Sequence, residues 1–308
     1  MNINFREENI LSRMERPGSV HQLALFRILL GLQVQYSSGS KVFQHIQQAG
    51  TPAGTKNIFP DFLNDIIANI AVPYLQPITQ VLSIFLVLGL FTRYILPFLF
   101  VSFLLLFSFL YSIHNAPVPW LYIWFPLLLL NFTKCSDALS LDKWFGMVKP
   151  KDLSSSSEYR WPMEVIAAWL TYIYVAAGIA KVVPVYKGLL WMNGGTSQEI
   201  LYYRFLNSNY FYFFGRPLFD YTQYPWFFGG LSLGSVIIEL GCIMILFTRR
   251  FHWPIFILLV LMHFFLYLVG VMGFMQLALL LSISLINPAV FAKLFKEQGD
   301  QMVRSTYL

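Results

Sequence analysis

Long apolar runs constrain this chain more than any other feature of its sequence. Eight runs reach or approach the roughly 20 residues that a helix needs to cross the hydrocarbon core of a bilayer. Because a backbone in lipid must satisfy its own hydrogen bonds, such runs predict α-helices. The sequence therefore predicts an all-α, polytopic membrane helix bundle with about eight transmembrane helices, at Val20–Ser37, Tyr74–Phe91, Tyr94–Ile113, Val118–Phe132, Trp161–Val183, Trp226–Thr248, Trp253–Gly270 and Met272–Ile286.

The composition supports a membrane protein and argues against other classes. Of the 308 residues, 57% are hydrophobic and only 12% are charged, whereas about a quarter of a soluble protein is charged. The net charge of +6 does not indicate a nucleic-acid partner, because no Lys/Arg-rich run or RNA-binding motif accompanies it. A cleavable signal peptide is not expected, since residues 1–19 are polar and the first apolar run contains Arg27. Cys135 and Cys242 fall in an expected cytoplasmic loop and inside a run, so an external disulfide is not expected.

Lysine and arginine collect in alternate loops, and this asymmetry predicts the orientation. Fourteen of them lie in the N-terminal segment, the turn between the second and third runs, the loop Lys134–Arg160, the turn Arg249–Arg250 and the tail, whereas the opposite loops carry five. The positive-inside rule then places both termini in the cytoplasm, and we expect a bacterial inner membrane. The expected organisation is a cytoplasmic segment 1–19, one transmembrane domain 20–288 with external capping segments 38–73 and 184–225, and a cytoplasmic tail 289–308.

Lys181 is the candidate for chemistry, at the far end of the fifth run in the string YIYVAAGIAKVV. A poorly hydrated amine tends to be neutral and able to take a proton. The small AAGIA segment before it suits close helix packing, which favours the bundle interior. The alternative is a lysine that snorkels to the lipid headgroups. Tyr174 lies two turns earlier on the same face, where it would donate to a ligand or simply pack.

Arg27 is expected about ten Å into the first span, where a charge must be paired or face water. Glu239 in the sixth span is the predicted partner of a structural ion pair, and Glu164 in the fifth is the other candidate.

Two histidines are further candidates for a substrate cavity. His263, Tyr267 and Gly270 share one helix face at spacings i, i+4 and i+7. The alternative for His263 is a buried, hydrogen-bonded residue of the core. His114 and Asn115 precede APVP at the external mouth of the third span, on the same membrane face as Lys181. The alternative for these two residues is interfacial capping.

Several other classes of site are not supported by the sequence. The histidines lack H-x-x-x-H and H-E-x-x-H spacing and there is no cysteine cluster, so no metal is expected. Walker and Rossmann motifs are not found. A transporter is disfavoured, because we find no inverted repeat with matching broken helices.

A set of short motifs resembles one membrane protein family. In chain order these are RPGSVHQLALFRILLGL, IHNAPVPWLYIW, the Ser-Leu-Asp at Ser140–Asp142, YVAAGIAKV, VIIELG and HFFLYLVGVMGF, between about Arg16 and Pro288. Their order and spacing resemble the vitamin K-dependent gamma-carboxylase and its short bacterial relatives, the horizontally transferred transmembrane (HTTM) domain proteins.

The resemblance implies a fold and a chemistry. Lys181 would be the catalytic base that deprotonates a reduced, vitamin K-like quinone, with His114 as its hydrogen-bonding partner. His263 and Arg27 would line or brace a lipophilic cavity that opens to the external face, together with Asn115, Tyr174 and Tyr267. The implied reaction class is a carboxylase-like lyase or related oxygen-using chemistry.

Departures from the carboxylase leave a second function open. Ala180 stands where the carboxylase has a second lysine, and the chain ends at Leu308 without the large luminal β-rich region. Both departures weigh against protein gamma-carboxylation. The alternative function is a non-enzymatic membrane factor for maturation or export of a secreted peptide or protein. The expected partners are the lipid bilayer, a lipophilic small molecule and, for the alternative, that secreted partner.

Overall fold

The structure is a computed structural model that describes residues 9–39, 72–114, 118–148, 157–183, 198–199, 223–268 and 275–295, apart from the side chains of 72, 108–114, 118–121, 266–268, 275, 276 and 292. Most of the predicted external segments 38–73 and 184–225, together with Asn115, lies outside the described residues.

The regular structure of the described residues is helical throughout, without a strand, so the all-α prediction is confirmed there. Seven of the eight predicted runs coincide with a helix to within a few residues. In the sixth run, Trp226–Thr248, the helix ends at Gly241, before the end of the run. The α-helices are α1 (Ile10–Met14), α2 (Val20–Ser38), α3 (Val72–Leu88), α4 (Thr92–His114), α5 (Val118–Leu130), α6 (Leu141–Trp144), α7 (Trp161–Val182), α8 (Pro225–Gly241), α9 (Met244–Phe247), α10 (His252–Leu268), α11 (Met275–Leu285) and α12 (Pro288–Leu294).

Two helical segments of the described chain are long and apolar enough to cross a bilayer. They are Ser157–Val182 and Pro225–Phe247, and Pro73–Leu88 and Thr92–Phe107 are shorter apolar helices. Less than half of the most apolar window of each long segment is buried inside the protein. These two segments support membrane association, and a crossing by all eight helices stays a prediction.

The chain divides into two compact units, and the organisation into segments 1–19, 20–288 and 289–308 stays a prediction. One unit contains the residues up to Arg13 and Ala167–Leu285, and the other contains Met14–Ile166 and the residues from Ile286 onward. The boundary falls inside α7.

The unit that contains Met14–Ile166 is built around α2. This helix packs against α3, α5 and α12, and α4 packs against α3 and α5. Gly31 permits a close approach of α2 to α3, because a Cβ there would lie 3.3 Å from the Ser83 carbonyl oxygen and would collide with the Val87 side chain. The apolar core between these helices includes Leu23, Phe26, Leu30, Leu86, Leu99, Phe103, Leu127 and Leu130, all almost fully buried.

The unit that contains Ala167–Leu285 comprises most of α7 and the helices α8 to α11. Helix α10 packs against both α8 and α11. Helix α9 is held by buried polar groups: the Arg13 guanidinium donates to the Ile245 carbonyl oxygen at 3.1 Å, and His252 Nε2 lies 3.2 Å from the same oxygen. Helices α7, α8 and α10 carry the candidate site.

Candidate functional site

Lys181 and Glu239 form an ion pair that joins α7 to α8. Lys181 Nζ donates to Glu239 Oε1 at 2.5 Å. The Lys181 side chain is 20% exposed and the Glu239 side chain is 8% exposed. Lys181 therefore lies at the edge of the protein interior with a carboxylate beside it, instead of being a solitary amine.

Gly178, one turn before Lys181, allows the two helices to approach closely. A Cβ at this position would lie 3.0 Å from two side-chain carbons of Leu240 and 3.2 Å from the Cβ of Glu239. Such distances are shorter than normal van der Waals contacts between carbon atoms. The absence of a side chain at Gly178 thus lets α8 lie where Glu239 reaches Lys181, in agreement with the close packing expected of the AAGIA segment.

A second polar pair joins α7 to α10. The Tyr174 hydroxyl lies 2.8 Å from His263 Nε2, and the two residues are almost fully buried. Tyr174 precedes Lys181 by seven residues, so helical geometry places both on one face of α7, about ten Å apart along its axis. Lys181 also interacts electrostatically with His263. Lys181, Tyr174 and His263 thus lie in one cluster on α7 and α10, and a common functional site stays a prediction.

The Glu239 carboxylate has one oxygen without a hydrogen-bond partner among the described residues. Glu239 Oε2 is buried and accepts no hydrogen bond from the residues that the structure describes, although Oε1 of the same carboxylate accepts one from Lys181. A buried acceptor without a donor is uncommon, because it has lost its hydration without replacement. The carboxylate therefore has capacity for one further hydrogen-bond donor.

Arg27 and Glu239, which the sequence predicts as an ion pair, belong to different units, and each side chain has another partner inside its own unit. Arg27 is fully buried, and its Nη2 donates to the Leu139 carbonyl oxygen at 2.6 Å. Asp142 interacts with Arg27 electrostatically. Glu164, the other predicted partner, forms an ion pair with Arg160. The loop after α5 thus supplies a backbone acceptor for Arg27, whereas the sequence analysis expected a carboxylate from another helix.

The Ser-Leu-Asp motif explains how this loop is held. Ser140 caps α6 by accepting a hydrogen bond from the Lys143 amide, at 3.1 Å. The Asp142 carboxylate accepts from the amides of Phe91 and Thr92 at 2.6 and 2.8 Å, and thus satisfies the N-terminus of α4. Gly89 has φ +65°, and a side chain there would collide with the Arg27 guanidinium and with Ser140. Arg27 and this motif together form a structural lock.

The remaining predicted site residues are only partly described. His114 is the last residue of α4 in the other unit, and its side chain lies outside the described part, as does that of Tyr267 in α10. Their predicted roles, and that of Asn115, stay predictions. Sequence reasoning missed Glu239 as a partner of Lys181. One feature of the sequence could have indicated this pair: Glu239 is an acidic residue in the apolar run that directly follows the run of Lys181.

Comparison with protein-family models, with curated proteins and with solved structures found no match to this chain.

Proposed function

We propose that the chain is a multi-pass membrane protein of the carboxylase-like type, with both termini in the cytoplasm, as in a bacterial inner membrane. In this proposal the Lys181–Glu239 pair, with Lys181 as the base, takes a proton from a quinol-like lipophilic substrate. The substrate would occupy a cavity that opens to the external face. The observation that carries the proposal is a part-buried lysine–carboxylate pair on the same apolar helices as a buried tyrosine–histidine pair.

Exposed apolar faces support the membrane part of the proposal. Ile78, Val81, Ile84 and Leu88 of α3 repeat every three or four residues and are each close to half exposed. Helix α10 exposes another such face, with Ile257, Leu258, Leu261 and Phe264. Monomeric soluble proteins rarely expose contiguous apolar patches of this kind, whereas lipid tails would cover them.

The site's charge balance suits an acidic hydroxyl as substrate. Because Lys181 and Glu239 share a hydrogen bond, they titrate as one pair. Before transfer the pair holds one proton and has no net charge, as a Lys181 ammonium beside a Glu239 carboxylate. That proton passes from Lys181 Nζ to Glu239 Oε1 along their hydrogen bond, and the resulting Lys181 amine takes the proton of the substrate hydroxyl. After transfer Lys181 is an ammonium, Glu239 is a carboxylic acid, and the substrate's oxygen carries the negative charge. The sum of charges stays at zero, and the new anion lies beside a cation, which favours the transfer in a site of low dielectric.

A reduced quinone fits the polar groups of this site. Its hydroxyl supplies the donor that Glu239 Oε2 lacks, and its ring suits the apolar walls of α7, α8 and α10. When bound, the reduced quinone would supply the reducing equivalents for oxygen-using chemistry, whereas this chain's residues bind it and hold its proton.

The decisive experiment measures whether the purified full chain speeds the oxidation of a hydroquinone by oxygen. Reduced menadione is the probe, because its anion is the form that oxygen oxidises. We expect saturable acceleration by the wild type, and a loss of about a hundredfold in Lys181→Met, within the range for removal of a general base. Lys134→Met is the matched control, since Lys134 pairs with Glu158 at 2.5 Å but is 45% exposed. Equal rates for wild type and Lys181→Met would refute the enzymatic proposal.

The second candidate function is the non-enzymatic factor for maturation or export of a secreted peptide or protein. This function is favoured if the Lys181–Glu239 ion pair only stabilises the packing of α7 against α8. In that case Lys181→Met would lower the stability of the protein, the hydroquinone would neither bind nor react faster, and a secreted peptide encoded beside this gene would co-purify with the chain.

A further inference from the structure

We infer that Glu239 is a second ligand-binding residue, and that its Oε2 accepts a hydrogen bond from the substrate hydroxyl and thereby selects the reduced over the oxidised form of the substrate. This inference rests on the proposed function and adds to it the residue that discriminates between the two forms.

The first argument is the position of the atom. Glu239 is 6% exposed, and within the described part of the chain its Oε2 accepts no hydrogen bond although it is shielded from solvent. The other oxygen is held by Lys181, so the carboxylate cannot turn to satisfy Oε2 without breaking the ion pair. A donor from a bound molecule would remove the cost of this unpaired acceptor without disturbing the pair.

The second argument is charge. Lys181 and Glu239 neutralise each other, so the pair offers no net attraction to an organic anion. A neutral molecule that both donates and accepts at one oxygen fits better. Its hydroxyl hydrogen would point to Oε2, and its oxygen would face the Lys181 ammonium. The oxidised quinone has only carbonyl oxygens at these positions, which accept from Lys181 but cannot donate to Glu239.

The third argument is that the helices hold the carboxylate in place. Gly178 brings α8 within contact distance of α7, and the Cβ of Glu239 forms part of that contact. The carboxylate is therefore fixed by backbone packing as well as by Lys181. The oxidised quinone would leave Glu239 Oε2 buried and without a donor. A site with an acceptor fixed in this way binds a ligand that lacks the donor much more weakly.

The test compares the affinities of the full-length protein in detergent for reduced menadione, under anaerobic conditions, and for menadione itself. We expect the wild type to bind the reduced form about tenfold to a hundredfold more tightly, as for a hydrogen bond to a charged group. Glu239→Gln should abolish or reverse this preference, because the amide that replaces the carboxylate can present an N–H where Oε2 was. Glu164→Gln is the matched control. It removes another buried glutamate that is paired with a cation, and it should keep the wild-type preference.

Glu239→Asp provides a second variant in case Glu239→Gln does not fold. Aspartate keeps the charge that pairs with Lys181 but draws the acceptor back by one methylene, so the preference should fall while the fold is retained. A wild-type preference that persists in Glu239→Gln or Glu239→Asp would overturn the inference and leave the proposed function intact. Failure of the wild type to bind the reduced form at all would overturn both.

Discussion

Substitution of Gly178 by alanine tests whether the close approach of α7 and α8 creates the site. Alanine in place of glycine inside an open helix stabilises a protein by about 1 kcal/mol, because it restricts the unfolded chain. At Gly178 the added methyl would meet Leu240 at 3.0 Å and the Glu239 Cβ at 3.2 Å. Overpacking of a tight contact costs about 1–3 kcal/mol. The two terms give a net change between about zero and 2 kcal/mol of destabilisation.

Gly234 in α8 is the matched control for this experiment. It also lies inside a helix, but a Cβ there would meet nothing within 4 Å. Gly234→Ala should therefore stabilise the protein by about 1 kcal/mol. The difference between the two variants isolates the packing contribution, because the gain in helix propensity is common to both.

The measurement is the free energy of unfolding of each variant in one detergent, with hydroquinone binding as a second readout. We expect Gly178→Ala to be less stable than Gly234→Ala by about 1–3 kcal/mol and to bind reduced menadione more weakly, since parted helices lengthen the contact between Lys181 and Glu239. If Gly178→Ala were stabilised as much as Gly234→Ala, the tight contact between α7 and α8 would not exist in the protein.

Two further predictions concern the lock around Arg27. Asp142→Asn should destabilise the protein by about 2–4 kcal/mol, because it weakens two charge-assisted hydrogen bonds to the start of α4 and removes the anion near Arg27. An unfolding free energy within about 0.5 kcal/mol of the wild type, the range of ordinary surface substitutions, would contradict this role. Burial raises the pKa of the Cys135 thiol to about 11, with Arg27 opposing the shift. In a Cys242→Ala background, Cys135 should resist maleimide at pH 7 and react once the chain is unfolded, and fast labelling of the native protein would show the loop to be open.

The sequence could predict the helices because the signal lies within each segment. A long apolar run satisfies its backbone hydrogen bonds internally whatever surrounds it. The predicted limits of Val20–Ser37 and Trp161–Val183 therefore differ from those of α2 and α7 by a single residue. Tyr174 and Lys181 could likewise be placed on one helix face, since seven residues make two turns.

The partners of the buried charges depended on the offset between helices, which only the tertiary structure decides. Suppose that every predicted run started and ended at the membrane surfaces. Arg27 and Glu239 would then lie at similar depths, and Glu239 would lie about 15 Å deeper in the membrane than Lys181. The contact of Lys181 with Glu239 shows that α7 and α8 are displaced along their axes relative to that alignment. Arg27 instead finds a backbone carbonyl in a loop more than a hundred residues later, and no pattern in the sequence marks such an acceptor. Apolar periodicity thus determined which segments are helices, and packing between helices determined which charges meet.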